Sequence, residues 1–202
     1  MLLHEKLKGF RLLLASQSPR RRELLAGSGL PCALEPRYEV EELYPDTLPA
    51  GEVPLYLSRL KSEGLPRPLE PDEILLTADT VVIAAGEILG KPRDREDALR
   101  MLRLLSGRGH TVVTGVTLRS AERVHSFSAS SEVFFRPLSE EELAYYVDTF
   151  RPYDKAGAYG IQEWIGYAAI ERIEGSFYNV MGLPVQRLYV ELEGFVDRMG
   201  NR

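Results

Sequence analysis

The stretch Ile74–Leu89, ILLTADTVVIAAGEIL, decides how this chain reads. Its aliphatic and β-branched run predicts a strand over Ile74–Ala84, and Ala85-Gly86 predicts a turn into a second short strand, Ile88–Leu89. Asp79 interrupts the run, flanked by Leu76, Val81, Val82 and Ile83. A buried carboxylate must be paired, ligated or used, because an isolated one costs several kcal/mol. Lys91, in the Gly-Lys-Pro that follows the hairpin, is placed to bring a point charge near it. The alternative is an internal Asp–Lys pair that only fixes the hairpin.

Outward from the hairpin the pattern alternates between strands and helices. Leu12–Ala15 reads as a strand feeding a helix over Pro19–Ala26, which Gly27 and Gly29 end. Glu39–Pro54 is acidic and proline-punctuated, an exposed loop before a modest helix near Pro54–Glu63. Asp94 caps a helix whose Ala98, Met101, Leu102 and Leu105 recur at helical spacing. Thr111–Leu118 and Val124–Phe135 are long β segments around Glu122. Ser139 and Glu142 make a capping box for a helix burying Leu143, Tyr146, Val147 and Phe150. A Gly-rich loop, a strand over Ala168–Ile173, a turn-rich stretch and a helix near Pro184–Leu192 complete the chain. The expectation is an α/β fold, mixed α+β, around a mixed sheet.

LASQSPRRREL, Leu14–Leu24, raises an electrostatic question. Ser18 as N-cap and Pro19 at the first helical position put Arg20, Arg21 and Arg22 in the first turn, where the helix dipole favours acids. With Ser16 and Ser18 nearby, the arrangement suits a phosphate cradle, although it has no glycine and no Walker lysine. Three solvated arginines on an exposed helix face are the alternative. Composition narrows the ligand. The net charge of −5 over 202 residues argues against a general nucleic-acid binder, so a local basic cluster points to a small anion. Cys32 is the only cysteine and the three histidines are scattered, so any metal is expected to be held by oxygen, as Mg²⁺ or Mn²⁺ are. No apolar run approaches the roughly 20 residues that span a bilayer, and Met1–Arg11 lacks a signal-peptide core, so the expectation is a cytoplasmic protein off the membrane.

The third chemical cluster is YDKAGAYGIQ, Tyr153–Gln162. Gly157 and Gly160 permit close backbone approach, and Asp154 and Lys155 supply both charge signs. Gln162 is one of three glutamines, in a chain of 20 arginines against five lysines and two asparagines. A primary amide donates and accepts side by side, which suits a pyrimidine carrying adjacent C=O and N–H; an amide that braces its own loop is the alternative. His110 suits packing or capping better than catalysis, and Asn179 suits loop bracing.

LASQSPRRRELL, ADTVV with LGKPRDREDA, LSGRGHTVVTGV, DKAGAYGIQ and GSFYNVMGLP occur in order from about Leu12 to Pro184. Together they resemble the successive signatures of the Maf family, nucleoside triphosphate pyrophosphatases of which some were first described as septum-formation inhibitors. The resemblance implies one Maf-like domain over residues 1–202, in two lobes related to the inosine-triphosphate pyrophosphatases, with the active site in the cleft between them. It implies metal-dependent hydrolysis of a nucleoside triphosphate to the monophosphate and pyrophosphate, and a possible homodimer.

Carried over by motif, Asp79 matches the family's proton acceptor, and Arg20, Thr80 and Gln162 fall at its specificity positions. Ser16, Arg21, Lys91, Asp154 and Lys155 match substrate-binding positions, and Glu42 with Asp79 would hold the metal. SPRR, ADT and GIQ resemble the branch acting on dTTP and UTP rather than its sister acting on 7-methyl-GTP. The chain departs from the pattern at Gly64, where a lysine is expected and Lys61 one helical turn earlier is the substitute. It departs also at Ser130 and Arg151, where the family has glutamates. A nucleotide-binding regulator without turnover is the competing class, and Asp79 with Lys91 argues against it, since binding alone needs no base. An enzyme clearing modified pyrimidine nucleotides would share the chemistry and differ in substrate.

Overall fold

A largely apolar strand must satisfy its backbone N–H and C=O groups by pairing on both sides. The computed structural model describes residues 1–200. It opens with helix α1 (Leu3–Lys6), strand β1 (Arg11–Leu14), helix α2 (Pro19–Gly27) and the short strand β2 (Ala33–Leu34). Helix α3 (Val53–Glu63) leads to strand β3 (Glu73–Ala84), which turns at Ala85-Gly86 into β4 (Glu87–Leu89). Helix α4 (Arg95–Leu105), strands β5 (Gly109–Arg119) and β6 (Val124–Phe135) and helix α5 (Glu140–Phe150) follow. Helix α6 (Trp164–Ala169), strand β7 (Ile170–Glu174) and helices α7 (Phe177–Met181) and α8 (Val185–Gly200) finish it. The fold is mixed α/β. Its sheet runs β2-β1-β3-β5-β6-β7, with β4 antiparallel on β3 and β1 parallel to both β2 and β3. Among the described residues no helix is long and apolar enough to cross a membrane.

The chain forms two compact units. Of the described residues, the first comprises Met1–Asp79, Thr114–Ala129 and Gly182–Gly200; the second comprises Thr80–Val113 and Ser130–Met181. The division falls inside β3, β5 and β6, and in β3 it falls between Asp79 and Thr80.

In the first unit, β1 and β3 pair with Leu12 opposite Ile74 and Leu14 opposite Leu76, all four buried. Helix α3 buries Val53, Pro54 and Leu57 and is seated further by close and polar contacts. Gly115 of β5 has no room for a side chain, because a Cβ there would run into the Pro54–Leu55 backbone. One turn on, the Ser58 and Thr117 hydroxyls lie 2.9 Å apart, and the Thr77 hydroxyl donates to the Ser58 carbonyl at 2.7 Å. These contacts fix the helix that carries Lys61.

In the second unit, Asp94 accepts the Asp97 N–H at 2.8 Å and starts α4, whose Ala98, Met101, Leu102 and Leu105 are buried. The capping box at Ser139 and Glu142 starts α5. Arg95–Asp148 and Arg103–Glu140 ion pairs, at 2.6 and 2.7 Å, link the two helices at the surface.

Four expectations change. The predicted strand over Ala168–Ile173 begins at Ile170, because Ala168 and Ala169 close α6 instead. The turn-rich stretch holds the five-residue α7, and α8 runs to Gly200 because its apolar period continues through Phe195 and Val196. Ser18 has the extended backbone of an N-cap, but its side chain makes no cap hydrogen bond. Its N–H turns back to Ser16 Oγ at 3.2 Å.

His110 is buried to 2% exposure, its Nε2 2.8 Å from the Tyr159 hydroxyl and its ring edge-on to Phe135 and Tyr159. Burial pushes its pKa from 6.5 down to about 4. The fold therefore holds it neutral, while the unfolded chain takes up a proton near pH 6.5. The stability this lends is full above pH 6.5 and is lost as pH falls toward 4. Between pH 7 and pH 5 the loss comes to about 2 kcal/mol. In urea unfolding at the two pH values, wild type should lose that much more stability than His110→Phe. Equal losses in both proteins would mean that His110 is protonated in the fold.

Candidate active site

In the first unit the loop after β1 and the first turn of α2 bring Ser16, Arg20 and Arg21 together. Arg21 is held in place by oxygen acceptors. Its Nε donates to the Gly182 carbonyl at 2.8 Å, and its Nη1 donates to the Ala78 carbonyl at 3.0 Å and to Ser16 Oγ at 3.2 Å. Burial pushes its pKa down, Asp79 and Glu42 pull it up, and Arg20 pushes it down again. Arg20 is half-buried, whereas Arg22 is exposed on the outer face of the turn. The three arginines thus differ: one is built into the backbone, one stands beside it, and one is solvated.

Asp79 projects from β3 and is not bare. Its Oδ1 lies 2.6 Å from Lys61 Nζ, which also reaches Glu42 Oε2 at 3.1 Å. The Asp79 and Lys61 side chains are 14% and 20% exposed, and Glu42 is 52% exposed. The cation on Asp79 is therefore Lys61, and the expected one, Lys91, is exposed to solvent. Position 64, where a lysine was expected, has no space for one: a Cβ on Gly64 would stand 2.5 Å from Val40 Cγ2. The chain segment around Val40 packs there, and the Tyr38 hydroxyl donates to the Lys61 carbonyl at 2.7 Å. That packing carries Glu42 over the end of α3. Glu39 and Glu41, on the same acidic loop, are exposed.

Among the described residues no group of three or more acidic, histidine or cysteine side chains forms a ready-made metal cage. Asp79 and Glu42 converge on one ammonium as two hard oxygen donors. That donor set fits Mg²⁺ or Mn²⁺ taking its remaining ligands from phosphate oxygens and water.

In the second unit, Thr80 is half-buried on β3, and Gly90, next to Lys91, accepts the Gly157 N–H at 3.1 Å. Lys155, expected to contact substrate, is 8% exposed, with Asp154 Oδ1 at 2.7 Å and Glu163 Oε1 at 3.0 Å. Gln162 is half-buried, and its Oε1 is buried with no hydrogen-bond partner. Asn179, expected to brace a loop, lies in α7 and ties that helix to the sheet, donating to the Val112 carbonyl at 3.1 Å and to Ser131 Oγ at 3.0 Å.

Sequence reading missed Glu163 and the polar end of Tyr146. The Tyr146 hydroxyl donates to Glu163 Oε2 and accepts the Gly160 N–H at 2.9 Å. Helical spacing marked Tyr146 only as core, which its ring is; the hydroxyl's task has no signature in the sequence.

Comparison with known proteins finds close relatives over nearly the whole chain. A curated protein of Porphyromonas gingivalis named dTTP/UTP pyrophosphatase is 54% identical over 193 residues, 95% of this chain and 97% of its own length. One of the same name from Bacteroides thetaiotaomicron is 52% identical over 184 residues, 91% of this chain and 95% of its own. A solved nucleoside-triphosphatase, the dITP/XTP pyrophosphatase of Mycobacterium abscessus, aligns at 17% identity over 64% of this chain and 76% of its own, with a TM-score of 0.38. The family model described as Maf-like protein matches residues 11–195, which span every motif described above. The chain belongs to the Maf family.

Proposed function

We propose that this chain hydrolyses dTTP and UTP, and modified pyrimidine nucleotides of the same edge chemistry, to the monophosphate and pyrophosphate. The observation that carries the proposal is the half-buried Asp79 carboxylate, held 2.6 Å from a lysine that it shares with Glu42, next to the arginine-bearing start of α2. Curated relatives of about half identity, named for this reaction, support it.

Asp79 takes the proton of a water whose oxygen bonds to the α-phosphorus. The anhydride bond from that phosphorus to its bridging oxygen breaks, and pyrophosphate leaves with the electron pair. Lys61 holds the carboxylate in place and steadies its charge before the proton arrives. Arg20 and Lys91 neutralise phosphate oxygens, and Ser16 and Thr80 are assigned hydrogen bonds to the substrate. Arg21 orders the loop through its Nε and Nη1, bonded to Gly182, Ala78 and Ser16. Asp79 and Glu42 would hold a divalent cation. When bound, the ion supplies Lewis-acid polarisation of the phosphate and neutralises the leaving pyrophosphate.

Gln162 is the base-reading group of this proposal. Its buried, unpartnered Oε1 is an acceptor that lacks a donor, and a uracil or thymine N3–H supplies one while the amide NH₂ meets O4. Leaving such an acceptor bare costs about 1–3 kcal/mol, which base binding offsets.

Asp79→Asn is near-isosteric and cannot take the proton. Pyrophosphate release from dTTP should fall at least ~100-fold in kcat, with the circular dichroism spectrum unchanged. Near-normal turnover by the folded variant would remove Asp79 from the mechanism.

Gln162→Glu offers acceptors only and sets a lone pair against O4. Its kcat/KM for dTTP and UTP should drop on the order of 100–1,000-fold, while that for GTP, which presents two donors, should fall little. An unchanged dTTP/GTP ratio would show that the base is read elsewhere.

A further inference from the structure

The turn that carries Gln162 is short, and its own backbone bonds are few. The Glu163 N–H donates to the Gly160 carbonyl at 3.0 Å, and the Gly166 N–H to the Glu163 carbonyl at 2.9 Å. What pins the turn is a polar cluster whose inner members, Tyr146 and Lys155, are buried. The Tyr146 side chain is fully buried in α5, between Phe150 and Trp164, whose rings stack on it at 5.1 and 6.4 Å. Its hydroxyl accepts the Gly160 N–H and donates to Glu163 Oε2. The other Glu163 oxygen lies 3.0 Å from Lys155 Nζ, and Asp154 completes the ammonium's charge partners at 2.7 Å. Gly160 is required here, since a Cβ would stand 2.9 Å from Glu163 Cδ and 3.0 Å from Lys155 Cε. The cluster thus grips the chain two residues before Gln162, at Gly160, and immediately after it, at Glu163.

The electrostatics give the cluster one proton arrangement. Burial and the Glu163 carboxylate push the Tyr146 hydroxyl above the ordinary tyrosine range, so it stays protonated and donates to Glu163. Lys155 offsets the charge of Glu163, and without that ammonium the carboxylate would be drawn toward water. Lys155 is 8% exposed and held by two carboxylates, so its geometry suits a strut better than a phosphate contact.

We propose that Tyr146 and Glu163, bridged to Lys155, are positioning residues that set the direction of the Gln162 amide and so the enzyme's selectivity for pyrimidines. This rests on the reading of Gln162 as the base-reading group. Neither residue touches substrate. Tyr146→Phe keeps the ring and removes the hydroxyl, which frees the Gly160 N–H and one Glu163 oxygen. Glu163→Gln keeps an acceptor for Tyr146 and removes the charge that holds Lys155. Glu163→Ala removes both contacts.

The test is steady-state pyrophosphate release from dTTP and from GTP by wild type, these three variants and Gln162→Glu, with melting temperature measured alongside. A misdirected amide should lower the dTTP/GTP ratio of kcat/KM about 10-fold in Tyr146→Phe and in Glu163→Ala. Glu163→Gln should retain more of the ratio than Glu163→Ala, and GTP hydrolysis should stay near wild type in all three. A role confined to stability would lower the melting temperature and scale both substrates together, leaving the ratio intact, and that result overturns the proposal. Should Tyr146→Phe fold poorly, the Glu163 pair decides alone. If Gln162→Glu changes the ratio and the strut variants do not, the strut inference fails by itself. If Gln162→Glu leaves the ratio unchanged, the base-reading assignment fails and takes the strut with it.

Discussion

Two carboxylates that meet in a half-buried site repel each other and lose hydration, so they stay together only if a cation stands between them. Lys61 is that cation, at 2.6 Å from Asp79 and 3.1 Å from Glu42. Much of the first unit bears on this contact. Asp79 is positioned by β3, whose register on β1 is set by buried aliphatic pairs. Lys61 is positioned by α3, seated on β5 through Gly115 and the Ser58–Thr117 contact. Glu42 is positioned by a loop that closes over α3 through Val40 at Gly64 and Tyr38 at the Lys61 carbonyl. Strand, helix and loop, each with its own packing, converge on one ammonium. Removing one member of such a group leaves charge uncompensated, which costs more than the pair contributes when intact.

Charge placement in the second unit follows the same logic with a different outcome. Lys155 also stands between two carboxylates, yet it is nearly buried and tied to a fully buried tyrosine. The Lys61 group is partly open, with Glu42 half in solvent, and its carboxylates can exchange an ammonium contact for another positive ligand. Both groups have one solvent-facing carboxylate, Glu42 and Asp154; what sets the second apart is the bond from Glu163 to the buried Tyr146, which ties it to a turn.

Periodicity carried the fold well, because alternation and helical spacing report burial directly. The hairpin at Ala85-Gly86, the caps at Asp94 and Ser139, and the limits of β6 were all legible. The stretch from Trp164 to Met181 was less so, because Gly166 and Gly175 read as loop while tertiary packing allows the short helices α6 and α7. At the site, Asp79 stood out because a carboxylate in an apolar strand breaks the pattern. Its partner stood out only through the family motif, whose lysine is missing at Gly64 and for which Lys61 is the substitute. Lys61 lies 18 positions away, and counting residues against a motif favoured position 64, where the structure has only Val40 and no space. Arg21 was legible as a cation but not as one spent on backbone carbonyls. Glu163 carried no signal beyond its neighbour Gln162, since a glutamate after a turn is ordinarily solvated.

The central claim is that Asp79, held by Lys61, delivers water to the α-phosphorus. Hydrolysis of dTTP in oxygen-18-labelled water, with each product analysed by mass spectrometry, tests it most directly. The account predicts one labelled oxygen in the thymidine monophosphate and none in the pyrophosphate. Label in the pyrophosphate, or in orthophosphate released beside the diphosphate, would place the attack on another phosphorus and contradict it.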